Sequence, residues 1–202
     1  MNQLKYLLIA TFVSALLFAL PITSFGQAVE PSHEVSLQIL IGSNEAGERD
    51  SVPKNLAAIS SQLKSTFAFS NYRLAGTFLG RVSNGGNFEY KSLSNIFGRE
   101  TDYRSQTFMD WSIVTLREGA TPKGEGFQAQ AFRLGARVPV TTEMIKDAVT
   151  GKERSVVNYE PIGLSLVRLG LSENTPTLIG TLSLPGANDT LFLIMTVKSA
   201  DL

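Results

Sequence analysis

The chain has 202 residues, 43% of them hydrophobic, with 18 basic and 18 acidic side chains, one histidine and no cysteine. The missing cysteine removes disulfides, thiolate metal ligands, a cysteine nucleophile and a lipoprotein anchor, and a lone histidine leaves little for a zinc site. Balanced charge, with Lys and Arg scattered along the chain, provides no basic face of the kind that captures nucleic acid.

Met1–Lys5 is a short segment with one positive side chain, Leu7–Leu20 is apolar, Pro21 ends the run, and Ser24–Ala28 supplies small residues. These are the three parts of an export signal, and the apolar run is short for a membrane-spanning helix. Cleavage is expected near Ala28, which assigns 1–28 to a signal peptide and places the mature chain in the periplasm or outside the cell. An uncleaved anchor is the alternative. The leader carries Lys5 and no acid, so its removal leaves a net charge of about −1 on the mature chain. An exported domain of this size without cysteine fits a bacterial periplasm, where its core alone must supply stability.

Glu34–Ser43 alternates, with Val35, Leu37, Ile39 and Ile41 on one face, and predicts a half-buried strand. A polar loop over Asn44–Asp50 leads to a helix, with Ser51 as its cap and Pro53 in its first turn. Leu56, Ile59, Leu63 and Phe67 recur at spacings of three and four and form its apolar stripe. Asn71–Val82 returns to period two, with Tyr72, Leu74, Phe78 and Val82 on one face and Arg73, Thr77 and Arg81 on the other. Asn84-Gly85-Gly86-Asn87 predicts a hairpin turn into a return strand begun by Phe88 and Tyr90.

Ser92–Ser105 is irregular and reads as a junction. Strand signals follow at Thr107–Arg117, Gly126–Pro139, Glu143–Asp147, Arg154–Tyr159, Ile162–Leu171, Thr177–Leu184 and Thr190–Lys198. The last two contain nearly continuous apolar runs and are expected to be buried on both faces. The sequon Asn188-Asp189-Thr190 reads as a turn. The fold class is α+β and mostly β: a strand-helix-strand-strand unit followed by an antiparallel, sandwich-like sheet. The domain boundaries are 1–28 for the signal peptide, 29–100 for a small α/β subdomain and 101–202 for an antiparallel β subdomain.

Candidate chemistry is sparse. His33 sits just past the cleavage region, ahead of the first predicted strand, in a stretch expected to be mobile and dispensable for function. Glu100 and Asp102, beside Arg99 and Arg104, form a charged cluster that reads as a solvated loop. Asp110 neighbours Trp111, which reads as a core anchor. Lys123-Gly124-Glu125-Gly126 lacks the length and the Lys-Ser/Thr ending of a phosphate loop. Ser61 and Lys64 fall on the polar side of the helix. No catalytic residue, cofactor or metal is expected.

Two groups of stretches carry a resemblance. The first joins Val35–Ile41, Val52–Leu56, Gln62–Phe67 and Asn71–Leu74; the second joins Thr177–Thr181 and Leu191–Thr196. Together they resemble uncharacterised exported bacterial proteins. The first group is also similar to the small periplasmic α/β modules of secretins, and the second to paired late strands of a secretin core. A secretin pore signature is not recognisable. The resemblance implies an architecture and a compartment and assigns no functional residue.

These readings favour a non-enzymatic binding or assembly module for an envelope or secretion component. Alternatives are a carrier of a small apolar ligand and a carboxylate- or serine-dependent hydrolase. The expected partner is an envelope or secretion-system protein, with no nucleic acid and no stable membrane span after cleavage. Asn71–Val82, with Arg73, Thr77 and Arg81, is the expected docking strand if it is an edge, since arginines discourage self-pairing of an open edge while leaving its backbone accessible; the alternative is a central strand of the N-terminal sheet, which offers no such rail.

Overall fold

The computed structural model describes residues 31–45, 51–94, 96, 106–121, 124–146, 151, 153–185 and 187–200. The expected signal peptide, the Glu100–Asp102 cluster, the junction boundary at residue 100 and Lys123 lie outside these residues. Eight strands are present among the described residues: β1 (Ser32–Ser43), β2 (Asn71–Ser83), β3 (Gly86–Ser94), β4 (Thr107–Thr121), β5 (Gly124–Lys146), β6 (Glu153–Ser172), β7 (Thr177–Ser183) and β8 (Thr190–Ser199). A 3-10 turn over Lys54–Leu56 runs into helix α1 (Ala57–Thr66) between β1 and β2. Among the described residues no helix is long and apolar enough to cross a membrane.

The strands form two four-stranded antiparallel sheets. Sheet 1 has the order β2-β1-β8-β7, and sheet 2 the order β3-β4-β5-β6. The chain is thus strand, helix, strand, strand and then strands alone, as the alternation patterns predict. Val35, Leu37, Ile39, Leu193, Met195 and Val197 of sheet 1 meet Trp111, Ile113, Phe127, Phe132 and Leu134 of sheet 2 in the main core. On the other face of sheet 1, Leu56, Ile59 and Leu63 pack on Leu40, Tyr72, Phe192 and Ile194. The helical stripe is therefore core.

Several local expectations are corrected. The turn at Asn84 and Gly85 does not close a hairpin, because β2 pairs with β1 and β3 with β4. The Asn84 N–H donates at 2.8 Å to the O of Pro31, the residue before β1, and the Gly85 N–H to Leu116 O of β4 at 2.6 Å, so the turn is tied beside the start of sheet 1 and to sheet 2 as it passes the chain between them. Ser51 makes no side-chain cap. Its backbone bridges to β2 instead, donating to Tyr72 O at 3.0 Å and accepting from Leu74 N–H at 3.2 Å. Of the last two strands only β8 is buried on both faces, from Leu191 to Met195; β7 is an edge and half-buried.

Breaks expected at Val140–Thr142, directly after Pro139, and at Glu160-Pro161 do not occur: β5 and β6 are each continuous. Proline lacks the N–H that a central strand needs, but an edge tolerates it. Pro161 lies on edge strand β6. Pro139 follows Arg137, the last β5 residue paired with β4, so β5 there has β6 as its only paired neighbour among the described residues.

His33 does not precede the first strand. It lies within β1, opposite Val82 and Ser199, is fully buried, and packs edge-on to Phe127 at 4.8 Å. We expect His33→Ala to lower stability by roughly 1–3 kcal/mol, since it empties a buried ring site. Urea denaturation followed by circular dichroism checks this, and an unchanged midpoint contradicts it.

Two phase changes shape the faces. In β1–β2 the register slips between Ile39 and Leu40, leaving Ala75 as an extra residue. A one-residue bulge moves every later side chain to the opposite face. Tyr72 and Leu74 therefore pack under α1, while Phe78 and Val82 enter the main core. The expectation that these four share one face fails for this reason.

The second change crosses sheet 2. Inward residues step by two through Met109, Trp111 and Ile113, then by three to Leu116. The same step of three separates Ala129 from Phe132 in β5 and Leu166 from Leu169 in β6. Thr115 (φ 53°) and Arg168 (φ 58°) take left-handed conformations at this line. For side-chain-bearing residues that costs roughly 1–2 kcal/mol each. Gln130 lies between them, because its neighbours Ala129 and Ala131 pair with Leu116 and Val114 on one side and with Leu169 and Val167 on the other.

Candidate functional site

The expected docking residues are split by the Ala75 bulge. Gln38 and Glu34, on the α1 face of sheet 1, pair with Thr77 and Arg81, whereas Ile41, which faces the main core, pairs with Arg73. Thr77 and Arg81 are exposed and Arg73 is half-buried beside the Ser51 bridge. The strand is an edge: among named strands β2 pairs only with β1. Its amino-terminal part is covered by Ser51, which leaves the stretch from Gly76 to Val82 as the part of the rail that Thr77 and Arg81 flank.

A second surface was not anticipated. β4 pairs with β5 only as far as Arg137, but β5 and β6 continue together to the Lys146–Glu153 pair. The result is a two-stranded ribbon that runs past the end of β4. Its described side chains include Met144 and Ile145, 63% and 52% exposed. At its base Phe108 and Tyr159, both exposed, stack edge-on at 5.7 Å. Isolated two-stranded ribbons are marginal in water, and large apolar side chains held open to solvent on such a ribbon gain by burial against a further surface.

The third feature is a groove of about 840 Å³ on the outer face of sheet 2, at the line of phase changes. Its lining includes Thr115, Arg117, Gln128, Gln130, Arg168 and Gly170. The Thr115 N–H donates to Asn87 Oδ1 at 2.7 Å and its hydroxyl to Gln130 Oε1 at 3.2 Å. Gln128 Nε2 donates to Ala120 O. Arg117 and Arg168 form no ion pair among the described residues. Sequence reasoning missed this groove. Its signal is the step of three that interrupts period-two alternation in three successive strands.

The carboxylate candidates do not converge. Trp111 is buried against Phe88, Tyr90 and Phe132, while Asp110 points out and is exposed. The two therefore lie on opposite faces of β4. Glu173 is held below the usual carboxylate range by hydrogen bonds from the Ser199 hydroxyl, at 2.7 Å, and the Ser199 N–H. A depressed carboxyl stabilises the fold above its unfolded pKa and loses that contribution as pH falls through the folded value, so this clamp on the end of β8 weakens in acid. Among the described residues no three His, Asp or Glu side chains cluster in a way that could hold a metal ion.

No family model matches the chain, and no curated protein matches it. The chain is similar to solved structures of secretins. The Salmonella SPI-1 type III secretion injectisome secretin InvG, in its open gate state, shares 13% identity over 96% of this chain and 65% of that one, with a TM-score of 0.34. The Klebsiella pneumoniae type II secretion system outer membrane complex of PulD, PulS and PulC shares 11% identity over 100% of this chain and 43% of that one, with a TM-score of 0.36. The Vibrio cholerae type IV competence pilus secretin PilQ shares 12% identity over 86% and 58%, with a TM-score of 0.30. At these values the likeness carries no argument about what this chain binds or does.

Proposed function

We propose that this protein is an exported, non-enzymatic assembly module of the bacterial envelope that docks a protein component. The observation that carries this reading is the β5–β6 ribbon, which leaves the sheet with Met144 and Ile145 open to solvent. Two strands with one hydrogen-bonded neighbour each gain by contact with a further surface, and added strands are a common form of protein docking. The outer rail of β2 from Gly76 to Val82, flanked by Thr77 and Arg81, is a second docking surface of the same module; Arg73 stands apart from it on the opposite face. A polar edge with arginines accepts a chosen partner strand better than a copy of itself.

The test compares native complexes extracted from the envelope with mild detergent. Wild-type protein is expected to migrate well above its monomer mass. The double variant Met144→Asp/Ile145→Asp is expected to migrate as a monomer with an unchanged melting temperature, because both side chains are exposed. Arg81→Glu is expected to weaken the same complex. Monomeric wild-type protein, or an undiminished complex in the double variant, contradicts the proposal.

A further inference from the structure

We propose that the groove across the outer face of sheet 2 binds a small anionic sugar, one that presents a carboxylate or phosphate beside free hydroxyls. The inference starts from the backbone. Thr115 and Arg168 hold left-handed conformations in one row across the sheet, on either side of Gln130. Neither is glycine, so the strain comes with a side chain that is used: Thr115 anchors Gln130, and Arg168 is carried onto the groove wall. Strained positions of this kind gather where a ligand is held.

The hydrogen bonds already made decide what remains on offer. The Thr115 hydroxyl occupies Gln130 Oε1, which leaves the Gln130 NH₂ as a donor. Ala120 O occupies Gln128 Nε2, which leaves Gln128 Oε1 as an acceptor. Arg117 and Arg168 add two guanidinium groups with no ion pair among the described residues. Donors therefore predominate, with cationic forks suited to a planar carboxylate or a phosphate, and one carboxamide oxygen remains to accept from a hydroxyl. Gly170 leaves part of the floor without a side chain; a Cβ there would meet nothing within 4 Å. A purely apolar ligand would strip water from these groups without replacing their bonds. This inference does not depend on the docking role, which uses other surfaces.

The full mature protein is titrated by isothermal calorimetry with glucuronate, glucose 6-phosphate and glucose. Glucuronate or glucose 6-phosphate is expected to bind saturably, and which of the two binds more tightly identifies the anionic group; glucose is expected not to bind. Arg117→Gln and Arg168→Gln are each expected to weaken binding about tenfold or more, the usual scale for losing a charge-assisted contact. Arg137→Gln, on an exposed residue of β5 seven positions from Gln130, is the control and is expected to bind as wild type. Amide spectra confirm the fold of each variant, and since Arg117 is exposed its variant keeps the test open should Arg168→Gln misfold. The proposal is overturned if neither anionic sugar saturates up to about 10 mM. Glucose binding as well as either anion, or binding unchanged in the folded arginine variants, overturns it too.

Discussion

Trp111→Ala is expected to lower the free energy of unfolding by about 3–5 kcal/mol, among the largest costs of any single substitution in this chain. Trp111 is the sole tryptophan, and it is 1% exposed at the centre of sheet 2. Its ring lies 4.8 Å from Phe88 of β3 and 6.3 Å from Phe132 of β5, so it joins three adjacent strands before it reaches the opposing sheet. Alanine would remove the shared neighbour of those rings and leave a cavity that flat, hydrogen-bonded strands cannot collapse to fill. Trp111→Phe separates volume from polarity. The indole N–H finds no acceptor among the described residues. Phenylalanine removes that buried orphan while keeping an aromatic contact, so its cost should be smaller, about 1–2 kcal/mol. Because the variants lose the only tryptophan, urea melts must be followed by circular dichroism. A loss below ~1 kcal/mol for alanine would mean that sheet 2 does not close on this ring.

The neighbourhood of Trp111 also shows what alternation can and cannot reveal. Period-two runs locate strands such as β1 and β2, because one face of each must be apolar wherever two sheets stack. They identify Val35, Leu37, Ile39 and Ile41 as core correctly, since β1 is regular along that face. The same rule fails at β2, where Ala75 is an extra residue and Tyr72 and Leu74 change sides. A bulge is a property of pairing between strands, and pairing cannot be read from one strand alone. Proline misleads in the opposite direction. Pro139 and Pro161 suggest breaks, yet both lie where β5 or β6 lacks a strand on one side, and an N–H is not required there.

The faces of the residues expected to dock and of the groove differ in the same way. Thr77 and Arg81 share a face, as alternation predicts, because both lie on one side of the bulge, and Arg73 takes the opposite face because it lies beyond it. The groove residues Thr115, Gln130 and Arg168 are separated by 15 and 38 positions in sequence. Only the register of two strand pairs brings them into one row. His33 is a further case. Beside the expected cleavage point it reads as part of a mobile tail, but antiparallel pairing with both β2 and β8 carries β1 back to Ser32 and buries the ring.

The second large effect is expected at Leu63, where alanine should cost ~2–4 kcal/mol. Leu63 is 1% exposed and lies in the stripe that seats α1 on Leu40, Tyr72, Phe192 and Ile194. Alanine favours helix as well as leucine does, so the loss would report packing rather than propensity. The site is also tied by polar bonds: the Tyr72 hydroxyl donates to Leu63 O at 3.1 Å, and the Phe67 N–H closes the helix on the same carbonyl at 2.8 Å. Those bonds use the backbone and survive the substitution, which keeps the helix in place over an unfilled gap instead of letting it settle inward. This favours the upper part of the range. Ser61→Ala, on the exposed side of the same helix, should change stability by no more than ~0.5 kcal/mol and serves as the control. Urea melts of the two variants decide the matter. If Leu63→Ala behaves like Ser61→Ala, the stripe is not buried against sheet 1, and the helix face itself becomes the surface to test for a partner.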